Sequence, residues 1–201
     1  SSAGLEVPAE QFNEYFKEHQ VPHSTALHCL LNGAPYLLGP LARINLNSHR
    51  LQPAAQAALM NSGIAWPSRN TFHGLMARAV EIYHCFIEAR ELLQHYESTE
   101  FPCAQVRPQA GVGYGSTEAP RGLLWHRYEM SADGTVRHAT IIPPTSQNQA
   151  QIECELQHSL QVFGLDRSTD ELRQYSEMII RNYDPCISCS THFLNLKVTR
   201  R

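Results

Sequence analysis

Apolar positions recur most regularly between residues 69 and 97, where Leu75, Ala79, Ile82, Cys85, Phe86, Ala89 and Leu93 follow helical spacing. That period predicts one long, largely buried helix. Residues 51–62 are helix-compatible, and Trp66-Pro67-Ser68 breaks the pattern after them. From residue 8 to 31 short helical patterns alternate with breaks such as Val21-Pro22, and Pro35 and Pro40 interrupt the apolar stretch Tyr36-Leu37-Leu38. Short helices joined by ordered loops are expected there. Residues 101–122 lose all periodicity and concentrate Gly111, Gly113, Gly115 and Gly122 with Pro102, Pro108 and Pro120. This reads as a long loop, and a loop of that length usually does something. From Gly122 to Pro144 apolar and aromatic residues alternate on both sides of Ala132-Asp133-Gly134, as in a β-hairpin whose turn favours positive φ. Two helices are expected near 148–161 and 169–182, the second with Ser168 or Thr169 as N-cap and Glu171 close behind. It should stop near Tyr183, because Pro185 disfavours helical angles at Asp184. The predicted fold is mainly α with a small β-hairpin (α+β), a helical bundle around the 69–97 helix, with residues 1–201 as a single domain.

Composition narrows the function classes. The net charge of -3, with 17% charged residues, forms no block of like charge, which argues against nucleic acid as a partner and against a membrane surface. No apolar run approaches the roughly 20 residues that span a bilayer, and the first residues lack the basic-then-apolar pattern of a signal peptide. A soluble, cytoplasmic chain is expected. Of the six cysteines, Cys29 and Cys85 lie in helix-like apolar patterns and, with Cys103 and Cys154, read as core or surface thiols rather than a disulfide framework.

Cys186 and Cys189 stand apart as a C-x-x-C pair on a turn after a helix. A thioredoxin-like redox pair would sit at a helix N-terminus instead. Haem attachment needs His directly after the second Cys, whereas two residues separate Cys189 from His192. A zinc site would need a second pair at knuckle spacing, or ligands such as Cys103 or a histidine from a distance. The fourth chemistry is a soft transition-metal site completed elsewhere in the protein, where thiolates hold nickel or iron.

The full string Asp184-Pro185-Cys186-Ile187-Ser188-Cys189-Ser190-Thr191-His192 resembles the C-terminal signature of nickel-iron hydrogenase large subunits. Glu118-Ala119-Pro120-Arg121-Gly122 and Pro144-Thr145-Ser146-Gln147-Asn148 resemble two further motifs of that family, in the same order. Pro22-His23-Ser24 and Leu41-Ala42-Arg43-Ile44-Asn45 are similar to its cytoplasmic branch, which includes NAD-linked bidirectional and sulfhydrogenase-like enzymes.

The resemblance implies a nickel-iron centre whose iron carries carbon monoxide and cyanide. Cys186 is then the terminal nickel ligand and Cys189 a bridging one. Arg121 is expected above the metals, able to polarise dihydrogen and to bind a cyanide, with Asp184 holding it in place. Pro120 would shape the pocket around carbon monoxide, Thr145 would hydrogen-bond the second cyanide, and Pro144 would fix that loop. His192, with the Ile141 carbonyl, would bind magnesium. An iron-sulfur small subunit, a diaphorase or similar electron-transfer subunit, and a maturation endopeptidase are the implied partners, the last cutting after His192 to remove residues 193–201. Thr145 could also simply cap the helix that begins near Asn148. The family's second C-x-x-C and its N-terminal glutamates do not occur in this sequence, so it looks like the C-terminal portion of a large subunit, expected to be inactive alone. From a different class, a non-catalytic electron-transfer complex subunit or a zinc-stabilised interaction domain would share the fold; relatives in complex I lack the paired cysteines, and a zinc module would unfold on chelation.

Overall fold

The computed structural model describes residues 1–104 and 106–186. Cys189, His192 and the expected extension 193–201 therefore lie outside the described residues. In chain order the elements are α1 (Phe12–Tyr15), β1 (Phe16–Gln20), β2 (Leu27–Leu31), α2 (Pro40–Asn47), α3 (Pro53–Met60), α4 (Gly74–Gln94), β3 (Gly111–Ala119), β4 (Gly122–Met130), β5 (Val136–Ile142), α5 (Pro144–Phe163) and α6 (Thr169–Tyr183). Strands β1 and β2 form an antiparallel pair, and β3, β4 and β5 form a second antiparallel sheet in that order. The α+β class expected from the sequence holds, with more strand than one hairpin.

Two stretches differ from expectation. Residues 16–31 form the β1–β2 hairpin, with Phe16 opposite Leu31 and Gln20 opposite Leu27. Cys29 on β2 packs in a cluster with Phe12, Trp125 and Ile142, while α5 packs along β2 as well. A strand covered on both faces shows a continuous apolar run, which periodicity does not separate from a helix segment. The glycine-rich stretch expected as loop contains β3, paired residue for residue with β4 from Gly111↔Met130 to Ala119↔Gly122. Backbone pairing needs no side chains, and alternate glycines erase the period-2 signal.

Helix α4 is long, as expected, but buries a different face. All seven positions that suggested its core, from Leu75 to Leu93, are exposed, Phe86 at 72% and Leu93 at 77%. The packed side runs through Ala77, Val80, His84, Ile87 and Glu91 at alternating three- and four-residue steps. Ala77 and Val80 join Ile44 of α2 and Ala55 and Leu59 of α3 in a second core, with Leu51, Trp66 and Ile87 at its margin. Residues 77, 80, 84, 87 and 91 include a histidine and a glutamate, so hydropathy favours the opposite side. Those two polar groups are bonded within the bundle, to the Gln52 N–H at 3.2 Å and to Gln52 Nε2 at 3.1 Å.

The C-terminal helices follow their local signals closely. Ser168 caps α6, its Oγ accepting from the Glu171 N–H at 3.3 Å while Glu171 Oε2 accepts from the Ser168 N–H at 3.0 Å, a reciprocal capping box. The Ser168 hydroxyl, donating to Glu171 Oε2 at 2.7 Å, and the Ser168 N–H hold the Glu171 carboxyl below its ordinary range. The helix ends at Asp184 in the left-handed region, φ 49° and ψ 54°. Helix α5 starts four residues before the expected Asn148, because Pro144 at its first position already carries helical φ and needs no partner for a missing N–H.

Burial pushes the Cys29 thiol up from 9.0 to about 11, against a relieving hydrogen bond from Tyr36, with Glu18 adding to the rise. Folding therefore favours the neutral thiol. That stabilisation is complete below about pH 9 and is lost as pH rises through about 11. Native alkylation at pH 8 should modify the exposed Cys85, Cys103 and Cys154 and spare Cys29 until the chain unfolds. Between pH 9 and 11, Cys29→Ala should lose less stability than the parent. Native labelling of Cys29 at the rate of Cys85 would contradict its burial.

Candidate metal-site scaffold

Three segments distant in sequence meet at the N-terminal turn of α5. The first comes off α6, where the left-handed Asp184 reverses the chain and Pro185 follows, delivering Cys186 beside Thr145. The Cys186 N–H donates to Thr145 Oγ1 at 3.4 Å. Thr145 is buried at the second position of α5. Its hydroxyl is thus used across the site rather than as a cap for a helix starting near Asn148.

The second segment is the β3–β4 turn carrying Arg121. Its Nε donates to the Asp184 carbonyl oxygen, lies 3.3 Å from Asp184 Oδ2, and Nη2 donates to Oδ1 at 3.4 Å. Main-chain and side-chain acceptors of one residue thereby fix the guanidinium, which remains about one-third exposed (37%). Its Nη1 makes no hydrogen bond among the described residues, leaving donors for a ligand.

The third segment is the β2–α2 connection. Asn148 joins it to the others: Oδ1 accepts from the Leu38 N–H at 2.8 Å, and Nδ2 donates to the Leu38 carbonyl at 3.5 Å and the Arg121 carbonyl at 3.4 Å. Glycine permits the close approach. Gly39 (φ +100°) would place a Cβ 3.0 Å from the Arg121 oxygen, and Gly122 (φ +136°) would place one 2.7 Å from Leu38 Cβ and 3.2 Å from Pro144 Cβ. Pro144 is thus the wall against which the Arg121 turn rests.

Gln147, fully buried, completes this knot. Its Nε2 donates to the Leu123 carbonyl at 2.6 Å and the Ile142 carbonyl at 3.3 Å, and its Oε1 accepts from Tyr36 Oη at 3.0 Å. On the far side of the turn Arg43 of α2 forms a two-point pair with Glu81 of α4 at 2.7 Å, and donates to Glu118 Oε2 at 2.8 Å, the Ala119 carbonyl at 2.8 Å and the Pro120 carbonyl at 3.0 Å. Burial alone would lower the guanidinium's affinity for its proton. The Glu81 and Glu118 carboxylates outweigh it and hold Arg43 charged.

The structure brings together Arg121, Asp184, Cys186, Thr145 and Pro144. Pro120 is exposed on the opposite side, lining a cavity of about 640 Å³ between α2 and α4 that includes none of Cys186, Asp184 and Thr145. Ile141 lies on β5 opposite His126 with its side chain half-exposed. Its expected partner in ion binding, His192, is outside the described residues. Sequence reasoning gave no role to Arg43, Gln147 or Asn148. The signal was present as four consecutive polar residues, 145–148, at a helix start, all buried. Such a run is costly unless every group is bonded.

Cys186, its backbone tied to the Thr145 hydroxyl, offers a soft sulfur donor two residues from the Asp184 that fixes the Arg121 guanidinium. Comparisons with known proteins agree with that chemistry. The family model described as nickel-dependent hydrogenase matches residues 31–192. The sulfhydrogenase 1 subunit alpha of Pyrococcus furiosus is 33% identical over 199 residues, covering 98% of this chain and 46% of its own length. The NAD-reducing hydrogenase HoxS subunit beta of Cupriavidus necator is 32% identical over 165 residues, covering 78% of this chain and 34% of its own. The crystal structure of an NAD+-reducing [NiFe]-hydrogenase in the H2-reduced state superimposes with a TM-score of 0.77 at 28% identity, over 90% of this chain and 42% of that one. The chain spans less than half the length of these relatives. Matching motifs, fold and family model together place it in the nickel-dependent hydrogenase family, among the large subunits.

Proposed function

We propose that this chain carries the C-terminal half of the dihydrogen-activating site of a nickel-iron hydrogenase, of the sulfhydrogenase or NAD-reducing kind. The observation that carries the reading is the clamping of Arg121 onto Asp184, two residues before Cys186.

Cys186 and Cys189 would hold the centre through thiolates, soft donors suited to nickel and iron, and carbon monoxide and cyanide would complete the iron. When bound, the centre supplies a redox-active Lewis acid for heterolytic splitting of dihydrogen. The Cys186 sulfur would take the released proton. Arg121 would aim its remaining donors at dihydrogen and at one cyanide, a preorganised guanidinium that costs no reorganisation. Asp184 orients that guanidinium. Thr145 accepts from Cys186 with its oxygen, so its O–H can donate to the second cyanide. Pro144 keeps the helix start seated against Gly122. His192 and the Ile141 carbonyl would take magnesium.

An iron-sulfur small subunit would receive the electrons, and a diaphorase-like subunit would pass them on. A maturation endopeptidase would remove residues 193–201, in the cytoplasm. No helix among the described residues is long and apolar enough to cross a membrane. C-x-x-C occurs once in the 201 residues, while the family's site needs two such pairs. This chain alone should therefore hold neither nickel nor iron stoichiometrically and turn over no hydrogen.

In the full-length large subunit assembled with its iron-sulfur partner, Arg121→Lys should keep nickel and iron but lower hydrogen uptake by roughly tenfold or more, because an ammonium lacks the fork that grips Asp184. Unchanged uptake, measured with metal analysis on the same sample, would leave a non-catalytic or zinc-binding role instead. Stoichiometric nickel and iron in the isolated 201-residue chain would overturn the half-site reading.

A further inference from the structure

Two turns further along α5, a second set of donors converges. His23 lies in the β1–β2 loop, His28 on β2 and Glu153 on α5. The nitrogen and oxygen ligand atoms of all three lie within 4.8 Å of one another. His23 Nε2 is 3.1 Å from each Glu153 carboxylate oxygen, and His28 Nε2 is 3.3 Å from Oε1. Glu153 is eight residues from Thr145, about 12 Å along the helix, so this cluster is separate from the Cys186 site.

The decisive atom is His28 Nε2. The His28 side chain is 6% exposed, and among the described residues Nε2 has no hydrogen-bond partner despite its proximity to Glu153. The distance is short enough but the angles are not. A buried ring nitrogen without a hydrogen bond is costly, and its aim toward a carboxylate and a second imidazole offers a different partner. Around a tetrahedral ion with bonds of about 2.0–2.1 Å, neighbouring donors sit about 3.3–3.4 Å apart. The measured 3.1 and 3.3 Å match that edge.

The scaffold is fixed independently of any ion. Helix α5 packs on β2, which sets Glu153 against His28. Gln20 Nε2 donates to the Ser24 carbonyl at 2.7 Å and the Val21 carbonyl at 3.1 Å, and the Ala26 N–H donates to Ser24 Oγ at 3.1 Å. These bonds shape the loop that presents His23, whose ring stands nearly perpendicular to that of His28 at 79°.

We propose that His23, His28 and Glu153 form a divalent transition-metal site that clips the β1–β2 hairpin to α5. Two imidazoles and one carboxylate are a donor set that zinc takes, with a water in the fourth position. The ligating form is the neutral imidazole, so protons compete with the metal for these nitrogens.

Zinc is the probe. Cys186 and Cys189 would compete for it, so calorimetric titration uses the 201-residue chain carrying Cys186→Ser and Cys189→Ser. One equivalent should bind with micromolar affinity or tighter and raise the thermal midpoint. Cobalt substituted at the site should show the visible absorption of a four-coordinate ion without a thiolate charge-transfer band. His23→Ala, at an exposed position that spares folding, and Glu153→Gln should each weaken zinc at least about 100-fold, with circular dichroism confirming the fold. Full-affinity binding in either variant assigns the zinc to other histidines and overturns the site. So does a stoichiometry below half an equivalent in a folded parent. His23→Ala and Glu153→Gln in the assembled full-length subunit, read by zinc content, repeat the test where the 201-residue chain is unstable.

Discussion

Gly122→Ala is expected to destabilise the fold by about 3 kcal/mol, combining strain at positive φ with overpacking, and to lower the thermal midpoint by roughly 6–12 °C. The added methyl group would sit 2.7 Å from Leu38 Cβ and 3.2 Å from the Gly39 nitrogen and from Pro144 Cβ. None of these is the free end of a flexible side chain, so the Leu38, Arg121 and Pro144 segments must part. Because the Arg121 carbonyl is bonded to Asn148 and its guanidinium to Asp184, separation also loosens the Cys186 turn. Gly111→Ala is the control: nothing lies within 4 Å of its added Cβ, and its effect should stay within about 0.5 kcal/mol. Equal losses in the two variants, measured by urea or thermal unfolding, would show that close approach is not what Gly122 serves.

Arg43→Met should cost about 3 kcal/mol by a different mechanism. The side chains of Arg43 and Glu81 are 18% and 17% exposed. Removing the guanidinium strands a mostly buried carboxylate and takes the donors from the Ala119 and Pro120 carbonyls. Glu118, half-exposed, is rehydrated at little cost. Arg43→Met combined with Glu81→Met should recover at least half of the loss, since replacing a buried pair by apolar groups is far cheaper than orphaning one member. No recovery would mean that the carbonyl bonds, rather than the ion pair, account for Arg43.

What could be read from the sequence divides by the range of the interaction. The Ser168–Glu171 box, the stop before Pro185 and the turn at Ala132-Asp133-Gly134 are local, written within a few residues, and the structure follows them. The β1–β2 pairing, β3 and the packed side of α4 depend on what lies across the interface, and periodicity pointed elsewhere. At the candidate site the motif strings named Arg121, Asp184, Cys186 and Thr145, and these residues do meet. Arg43 and Asn148 lie inside the motif strings yet carried no assignment, because their partners lie 27 to 110 residues away. The His23–His28–Glu153 cluster was invisible for the same reason: Glu153 comes 130 residues after His23.

That long range has a temporal side. Arg121 precedes Asp184 by 63 residues, a gap of roughly 3–13 seconds at ribosomal rates of about 5–20 residues per second. Arg43 and Glu81 are synthesised before the β3–β4 turn and can seize it as it emerges. The Arg121 guanidinium is thus positioned first through its loop and only later by its clasp on Asp184, after the residues that lead to Cys186 have been made.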